Sequence, residues 1–364
     1  MADSISHSLD DHFQTTALGS INRAIGNNLY GVNHQQTGGM VPLNKDIQGL
    51  TFFVRPQLNL NAVNIRNFRI FYPLLSKNQD SIQRFVRCTL DPRLSVYKHP
   101  IPCPLVDPLQ AFIPVFTNDL VSLSGWPDIA VNTFTSKQGI AREVYSQIDD
   151  IAVNYEPGTI DATFRNTRGD PIMYLFYIWV HYASAVFRGI LAPYPDFIRN
   201  NMLDYCTRIY RLVLDASKTY VRKIAATGVS FPVNVPMGKY FDFNSERPYN
   251  DQTSELTIRF QSLGFQYQDD ILVKEFNTTV GIFNPAMKMG YNKNNGQLQM
   301  NPNMRKINKN IAHLFNNRGY PRINGDTYEL EWYISQDELI KRLDRLLGAG
   351  LINQDQYNVA NTGT

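Results

Sequence analysis

Several stretches of the chain alternate apolar and polar residues with period two, the pattern of strands with one buried and one wet face. Ile151, Val153 and Tyr155 oppose Asp150, Ala152 and Asn154 in the run from Asp149 to Tyr155. After Pro157-Gly158, Ile160, Ala162 and Phe164 share one face, and Asp161, Thr163 and Arg165 share the other. Tyr205 to Asp215 is β-prone, Asp215-Ala216-Ser217-Lys218 predicts a turn, and Tyr220 to Val229 predicts a return strand ending near Gly228. Further on, Leu256, Ile258 and Phe260 face one way, while Glu255, Thr257, Arg259 and Gln261 face the other. Shorter β-like runs lie at Thr51-Phe52-Phe53-Val54 and from Phe68 to Tyr72.

Between these strands the period changes. Pro171 to Phe187 is seventeen residues without a formal charge. Crossing a bilayer takes about 20 residues, and His181, Ser184 and three tyrosines would be costly there. The segment therefore predicts a helix covered by protein, with Asp170 as N-cap and Pro171 at the first helical position. The preceding Arg168-Gly169-Asp170 reads as a turn into that cap rather than as an integrin-type motif. Residues 1 to about 45 are polar and predict an arm that is extended or ordered only by a partner. Prolines at 92, 100, 102, 104, 108, 114 and 127 predict an irregular segment wrapping over other elements. From Asn284 to Asn317 the chain is Asn-rich, and its basic residues at 305–309 read as a solvated loop. Tyr328 to Tyr333 predicts a strand, and Ser335-Gln336-Asp337-Glu338 a capping box. Leu339, Ile340, Leu343, Leu346 and Leu347 then form a helical stripe that Gly348 stops, docking on the chain's own core or on a neighbouring subunit.

Composition narrows the possible functions. The 364 residues carry 35 Lys plus Arg against 32 Asp plus Glu, a net charge of +3, which excludes a strongly basic nucleic-acid binder. Charged residues are 18%, against roughly 25% in an average domain, whereas aromatics reach 12%. This predicts that much of the surface is covered by something other than water. A 43% hydrophobic content excludes a wholly disordered chain. Cys88, Cys103 and Cys206 are odd in number and widely spaced, so folding in a reducing cytosol without a disulfide framework or structural zinc is expected. No signal peptide is expected at the N-terminus, and Asn277-Thr278-Thr279 is a chance glycosylation match.

Catalysis finds no home in the sequence. The histidines at 7, 12, 34, 99, 181 and 313 lack metal-ligand spacing, and nucleophile-elbow, phosphate-loop and dinucleotide motifs are missing. The pairs Asp149-Asp150 and Asp269-Asp270 read as turn or strand-end residues, not as an acid–base couple. The expectation is no enzyme, no cofactor and no metal.

The order of elements, amphipathic strand, helix, two strands, amphipathic strand, resembles the tail-tube fold of contractile-tailed bacteriophages, most of all their baseplate–tail-tube junction proteins. The resemblance rests on Thr159 to Arg165, Arg208 to Leu214, Ile224 to Pro232 and Leu256 to Phe260, and covers roughly residues 142–265. It implies an α+β, mainly β fold: a tail-tube-like β-barrel or sandwich core with one packed helix and large terminal extensions. The chain then divides into an arm (1–45), a β/Pro-rich extension (46–140), a tail-tube-like core (141–285) and a C-terminal extension with a small amphipathic helix (286–364). The long extensions favour a specialised junction or terminal ring over a plain repeating tube subunit.

The same resemblance implies a homohexameric ring in the virion tail, assembled in the host cytoplasm without membrane insertion. Its partners would be stacked tail-tube and baseplate proteins, and DNA would pass through its lumen without specific binding. Ile160, Ala162, Phe164, Leu256, Ile258 and Phe260 would pack under the helix. Asp161, Thr163, Arg165, Glu255, Thr257, Arg259 and Gln261 would form a polar face free of large apolar side chains, lining the lumen or facing solvent. Within the structural class the alternatives are the main tube subunit and a neck or tail-terminator ring. A carbohydrate-binding or -cleaving β-sandwich is the alternative from another class, supported by the Tyr and Trp content.

The strand reading has a direct test. Asp at position 256 or 258 would bury an unpaired charge, costing more than about 4 kcal/mol, so L256D and I258D should abolish folding by circular dichroism. T257D should melt close to the parent; equal damage at all three positions would refute the alternation.

Overall fold

The computed structural model describes residues 15–16, 19–20, 49–95, 102–150, 156–246, 248, 253–291, 298–308 and 319–362. Most of the expected N-terminal arm, the strand expected at 151–155 and parts of the Asn-rich stretch lie outside these residues. The centre of the fold is a six-stranded sheet. Its strands are β1 (Thr51–Phe53), β2 (Leu120–Ser124), β5 (Pro157–Arg165), β6 (Ile209–Leu214), β7 (Val221–Pro232) and β8 (Glu255–Tyr267). They pair antiparallel in the order β1-β6-β7-β8-β5-β2. An exposed hairpin of β3 (Thr133–Thr135) and β4 (Ser146–Ile148) projects between β2 and β5.

Alternation sets the register of β5 against β8. Phe164 stands opposite Leu256, Ala162 opposite Ile258 and Ile160 opposite Phe260, and all six are buried. A slip of one residue would turn this apolar row to the outside. Over the row lies the helix expected from the uncharged run, here α3 (Pro171–Phe187). Ile172, Leu175, Phe176, Ile178, Trp179, Tyr182 and Ala185 are buried, while Ser184 and Phe187 remain exposed. Trp179 Nε1 donates to the carbonyl of Tyr205 at 2.7 Å, giving its buried indole a partner. Asp170 holds the N-cap position with φ 50° but makes no capping bond; its Oδ1 accepts from Asn166 Nδ2 instead. No described helix is long and apolar enough to cross a membrane.

Aromatic packing shows that the sheet is curled. In a flat sheet β1 and β5, four strand spacings apart, would be separated by about 19 Å. Yet the Phe53 ring of β1 lies 5.7 Å from Phe164 of β5, and 5.7 Å from Phe260 of β8. Phe116 of α2 (Pro114–Asn118) contacts Phe53, Phe164 and Phe176 of α3. The two sides of the sheet therefore close toward each other around α3, forming a curled antiparallel half-barrel.

Among the described residues the opposite face is covered at one end only. Phe52, Tyr210, Leu212, Leu214, Val221, Ile224 and Ala226 build a second core with α5 (Asp270–Phe283). A C-terminal sheet joins it, ordered β9 (Met304–Lys306), β11 (Leu330–Ser335) and β10 (Tyr320–Ile323). Leu339 and Leu343 of α6 (Gln336–Gly348) pack with Ile307, Ile334 and Ile352 in a small core, so this helix docks on its own chain.

Several local expectations change. Phe68 to Tyr72 forms turns and the start of a 3₁₀ helix: Phe68 and Phe71 pack into the core with Leu74 and α1 (Ile82–Leu90), while Ile70 and Tyr72 stay exposed. The Pro-rich stretch is less irregular than expected, since α2 begins at Pro114 and β2 follows it. Residues 304–306 form a strand, and Lys306 pairs with Glu329 and Glu331 rather than sitting in a solvated loop. Ser335 makes no capping bond, and Glu338 pairs with Arg342 instead. Gly348 is the last residue of α6, Ala349 caps it, and the left-handed turn falls at Gly350 (φ 68°), whose N–H donates to Leu347 O while Leu351 N donates to Leu346 O. Asn277 is half-buried, and its amide exchanges two hydrogen bonds with the backbone of Ile323. Cys88, Cys103 and Cys206 are free thiols.

One buried residue ties the N-terminal extension together. The Arg55 guanidinium donates to the carbonyls of Cys88, Thr89, Asp107, Pro108 and Gln110, fastening α1 and the Pro-rich wrap to the segment after β1. Burial lowers its pKa to about 10, still far above neutrality. R55M would orphan buried acceptors and should cost about 3 kcal/mol or more in urea unfolding. R55K should rescue little, because a point-like ammonium cannot span the five carbonyls; full rescue by lysine would contradict the clamp.

Candidate functional site

The bare half of the outer sheet face carries every site residue singled out by sequence. Cross-strand register brings them together in pairs: Arg165 opposite Glu255, Thr163 opposite Thr257, Asp161 opposite Arg259, and Thr159 opposite Gln261. Arg259 Nε donates to Asp161 Oδ1 at 2.9 Å and Nη2 reaches Oδ2 at 3.4 Å. This hydrogen bond, with the carboxylate's charge, raises the Arg259 pKa. The Thr163 and Thr257 hydroxyls meet at 3.0 Å. Arg165 sits between Glu255 and Asp119, and the charge of Arg165 partly offsets the burial that raises the Asp119 pKa. Two carboxylates and two guanidiniums thus stand as opposite charges across a single two-strand ladder, and Asp161–Arg259 closes into an ion pair. Opposite charges directly across antiparallel strands also favour this register.

The face extends beyond the residues that sequence picked out. Ser122 and Ser124 of β2 stand beside Thr163 and Asp161. Their alternation is legible only once Leu120–Ser124 is recognised as a strand, and a bulge at Val121 interrupts it. The polar face also has an apolar border that the sequence reading did not foresee. Leu263 pairs with Val229, and with Val233 they form an exposed stripe along β7.

A glycine pair separates the bare half from the covered half. Gly264 has φ 74°, and a Cβ on Gly228 beside it would meet the Leu263 carbonyl oxygen at 2.5 Å. Up to this point Leu256, Ile258, Phe260 and Ser262 of β8 are buried; past it the buried face passes to Phe265. In β7, Ile224 and Ala226 face the second core, whereas Ser230 turns to bond Ser262 and Thr227. Gly228 therefore lies inside β7 instead of ending it, because only a glycine lets the neighbouring strand pass so closely.

The two aspartate pairs of the sequence lie away from this face. Asp269 caps α5 by accepting from Ile271 N, and Asp150 accepts from Asn132. Among the described residues no group of three or more His, Cys, Asp or Glu gathers in a way that could hold a metal.

The site is thus an ordered polar ladder on a curled antiparallel half-barrel that is closed by one helix and extended by few others. The chain belongs to the phage tail tube protein family: a family model described as "Putative phage tail tube protein" matches residues 2–347. No curated protein matches the chain. Among solved structures it is similar to the tube-terminating cap of the anti-feeding prophage, at 15% identity over 43% of this chain and 81% of that one, with TM-score 0.27. It is also similar to the sheath/tube terminator of the PVC extracellular contractile injection system in its extended state, at 12% identity over 43% and 87%, TM-score 0.25. A third is the extended sheath–tube complex of that system, at 14% over 43% and 82%, TM-score 0.24. The protein is thus a structural component of a phage tail, part of the virion and not an enzyme.

The glycine pair gives a testable consequence. G264A should cost about 1–2 kcal/mol for its left-handed backbone, and G228A more, because its Cβ forces β7 and β8 apart. Thermal denaturation reads both, and a neutral G228A would contradict the close approach.

Proposed function

We propose that six copies of the chain form a ring of the tail tube at or near the baseplate, with the β5–β8 polar face lining a channel for DNA. One observation supports the reading: the outer half-sheet that no other described element covers is the half whose opposite charges stand across from each other in register. A basic lining would hold phosphates through counterion release and a strongly acidic one would repel them. A self-neutralised ladder of Asp, Arg, Thr and Gln does neither, so DNA slides past without specific binding.

Assembly has surfaces to use. β2 is an outer strand of the sheet, and its outer backbone edge, which no described strand pairs, is a template for another strand. The adjoining hairpin exposes Ile129, Val131, Phe134, Tyr145 and Ile148, which a two-stranded hairpin alone cannot cover. Each ring would present these edges and loops to the next, while the terminal extensions meet baseplate or sheath proteins. Assembly would take place in the host cytoplasm.

Native mass spectrometry of the purified chain should give a hexamer, and electron microscopy an open ring; a monomer that binds glycans would refute the proposal. The D161K/E255K double variant should still form rings but should co-elute with DNA at low salt and release it at high salt. Retention of DNA by the parent, or no change in the variant, would contradict a neutral channel.

A further inference from the structure

Two carboxylates away from the polar face are buried in the seam between the N-terminal extension and the loop leading from α3 to β6. Asp91, just after α1, is 1% exposed. Its Oδ2 accepts from Leu60 N at 2.9 Å and from the Tyr194 hydroxyl at 2.8 Å, and its Oδ1 from Arg93 N at 3.2 Å. Asp204 is 2% exposed, and its Oδ2 accepts from the Tyr182 hydroxyl at 2.5 Å while its Oδ1 meets no donor. The Tyr182 oxygen also accepts from Asn59 N at 3.0 Å. Tyr194 precedes α4 (Pro195–Arg199) and Tyr182 belongs to α3. The two acids and two tyrosines therefore stitch the extension, both helices and the pre-β6 loop into one seam.

The surrounding cations are committed elsewhere. Arg87 of α1 faces Asp91 and its charge favours the carboxylate; its Nε donates to Leu60 O and its Nη1 to Leu74 O, and its Nη2 stays unpartnered without closing an ion pair to Asp91. Arg55 is held by its five carbonyls. Arg93 forms two 2.8 Å bonds to Asp196, donates to Gln57 Oε1 and stacks over Tyr194 and Phe197. Cys206 lies beside Asp204, and its thiol is pushed up to about 12 by burial and by that aspartate. Among the described residues neither Asp91 nor Asp204 forms an ion pair within 4.0 Å.

We propose that Asp91 and Asp204 form a proton-operated clasp that grips the N-terminal extension against α3 and α4 more firmly in mild acid than at neutral pH. Burial raises both acids to about 6 from an ordinary 3.8, with the tyrosine hydroxyls, and at Asp91 the Leu60 and Arg93 amides, opposing the rise. An acid whose folded pKa is raised costs stability wherever the folded carboxylate is forced to ionise. That cost is complete above pH 6 and is relieved as pH falls toward 4. The clasp does not depend on whether the β5–β8 face lines a channel.

Urea unfolding of the full chain at pH 7.5 and 5.0 tests it, comparing the parent with D91N, D204N and Y182F. Asparagine mimics the neutral acid, so from pH 7.5 to 5.0 the parent's folding constant should rise about tenfold relative to each Asn variant. Y182F removes a donor to the Asp204 carboxylate and should move the inflection of the parent's profile to higher pH. Should an Asn variant not fold, hydrogen exchange of the parent over residues 57–65 and 192–205, corrected for intrinsic rates, reads the same clasp. Slower opening at pH 5.0 supports it. Asn variants weakened equally at both pH values, or opening that does not slow in acid, would overturn it.

Discussion

Everything in this fold depends on how one aromatic core is closed. Phe53, Phe116, Phe164, Phe176 and Phe260 come from five elements far apart in the sequence, and their rings can meet only if the sheet curls around α3. Aromatic rings bury large area at little side-chain entropy and pack edge-to-face or offset. The cluster therefore specifies curvature as well as stability. Much of the chain's aromatic excess is spent in this core and in the second one around Phe52, Phe112, Tyr210 and Phe276.

Closing one face around a helix determines what the other face can be. Over β1, β6 and the first half of β7 it is sealed by α5 and the C-terminal sheet. Past the Gly228–Gly264 pair the sheet turns out of that cover, and β5 and β8 present a ladder whose charges are matched across the strands. The glycines do more than allow a bend. They mark where a sheet face buried within the subunit becomes one facing outward, bordered by the exposed stripe of Leu263, Val229 and Val233.

The parts legible in the sequence are those where a short-range pattern and a tertiary demand agree. The Asp161–Arg165 and Glu255–Gln261 alternation gives both the buried row and the polar ladder, and the bounds of α3 follow from Pro171 and from its uncharged length. What stayed hidden depends on distant partners. Phe68 to Tyr72 has the apolar content of a strand, but local turns pack it around Leu74. Leu120–Ser124 is masked by flanking prolines, and the role of Arg55 appears only when segments up to 55 residues away converge on it. Ser335 and Glu338 match a capping pattern, yet Arg342, one turn on, competes successfully for the glutamate. Cross-strand neutralisation was unreadable before the register was known, since each strand alone shows only scattered charges.

The central claim is that the self-neutralised β5–β8 face looks into a channel. A cryo-electron microscopy reconstruction of the assembled ring, resolved well enough to place side chains, measures this directly. Asp161, Thr163, Thr257 and Arg259 should project toward the ring axis, with α3 outside the sheet. A ring in which these four residues face the outer solvent, or lie against a neighbouring subunit, would contradict the account.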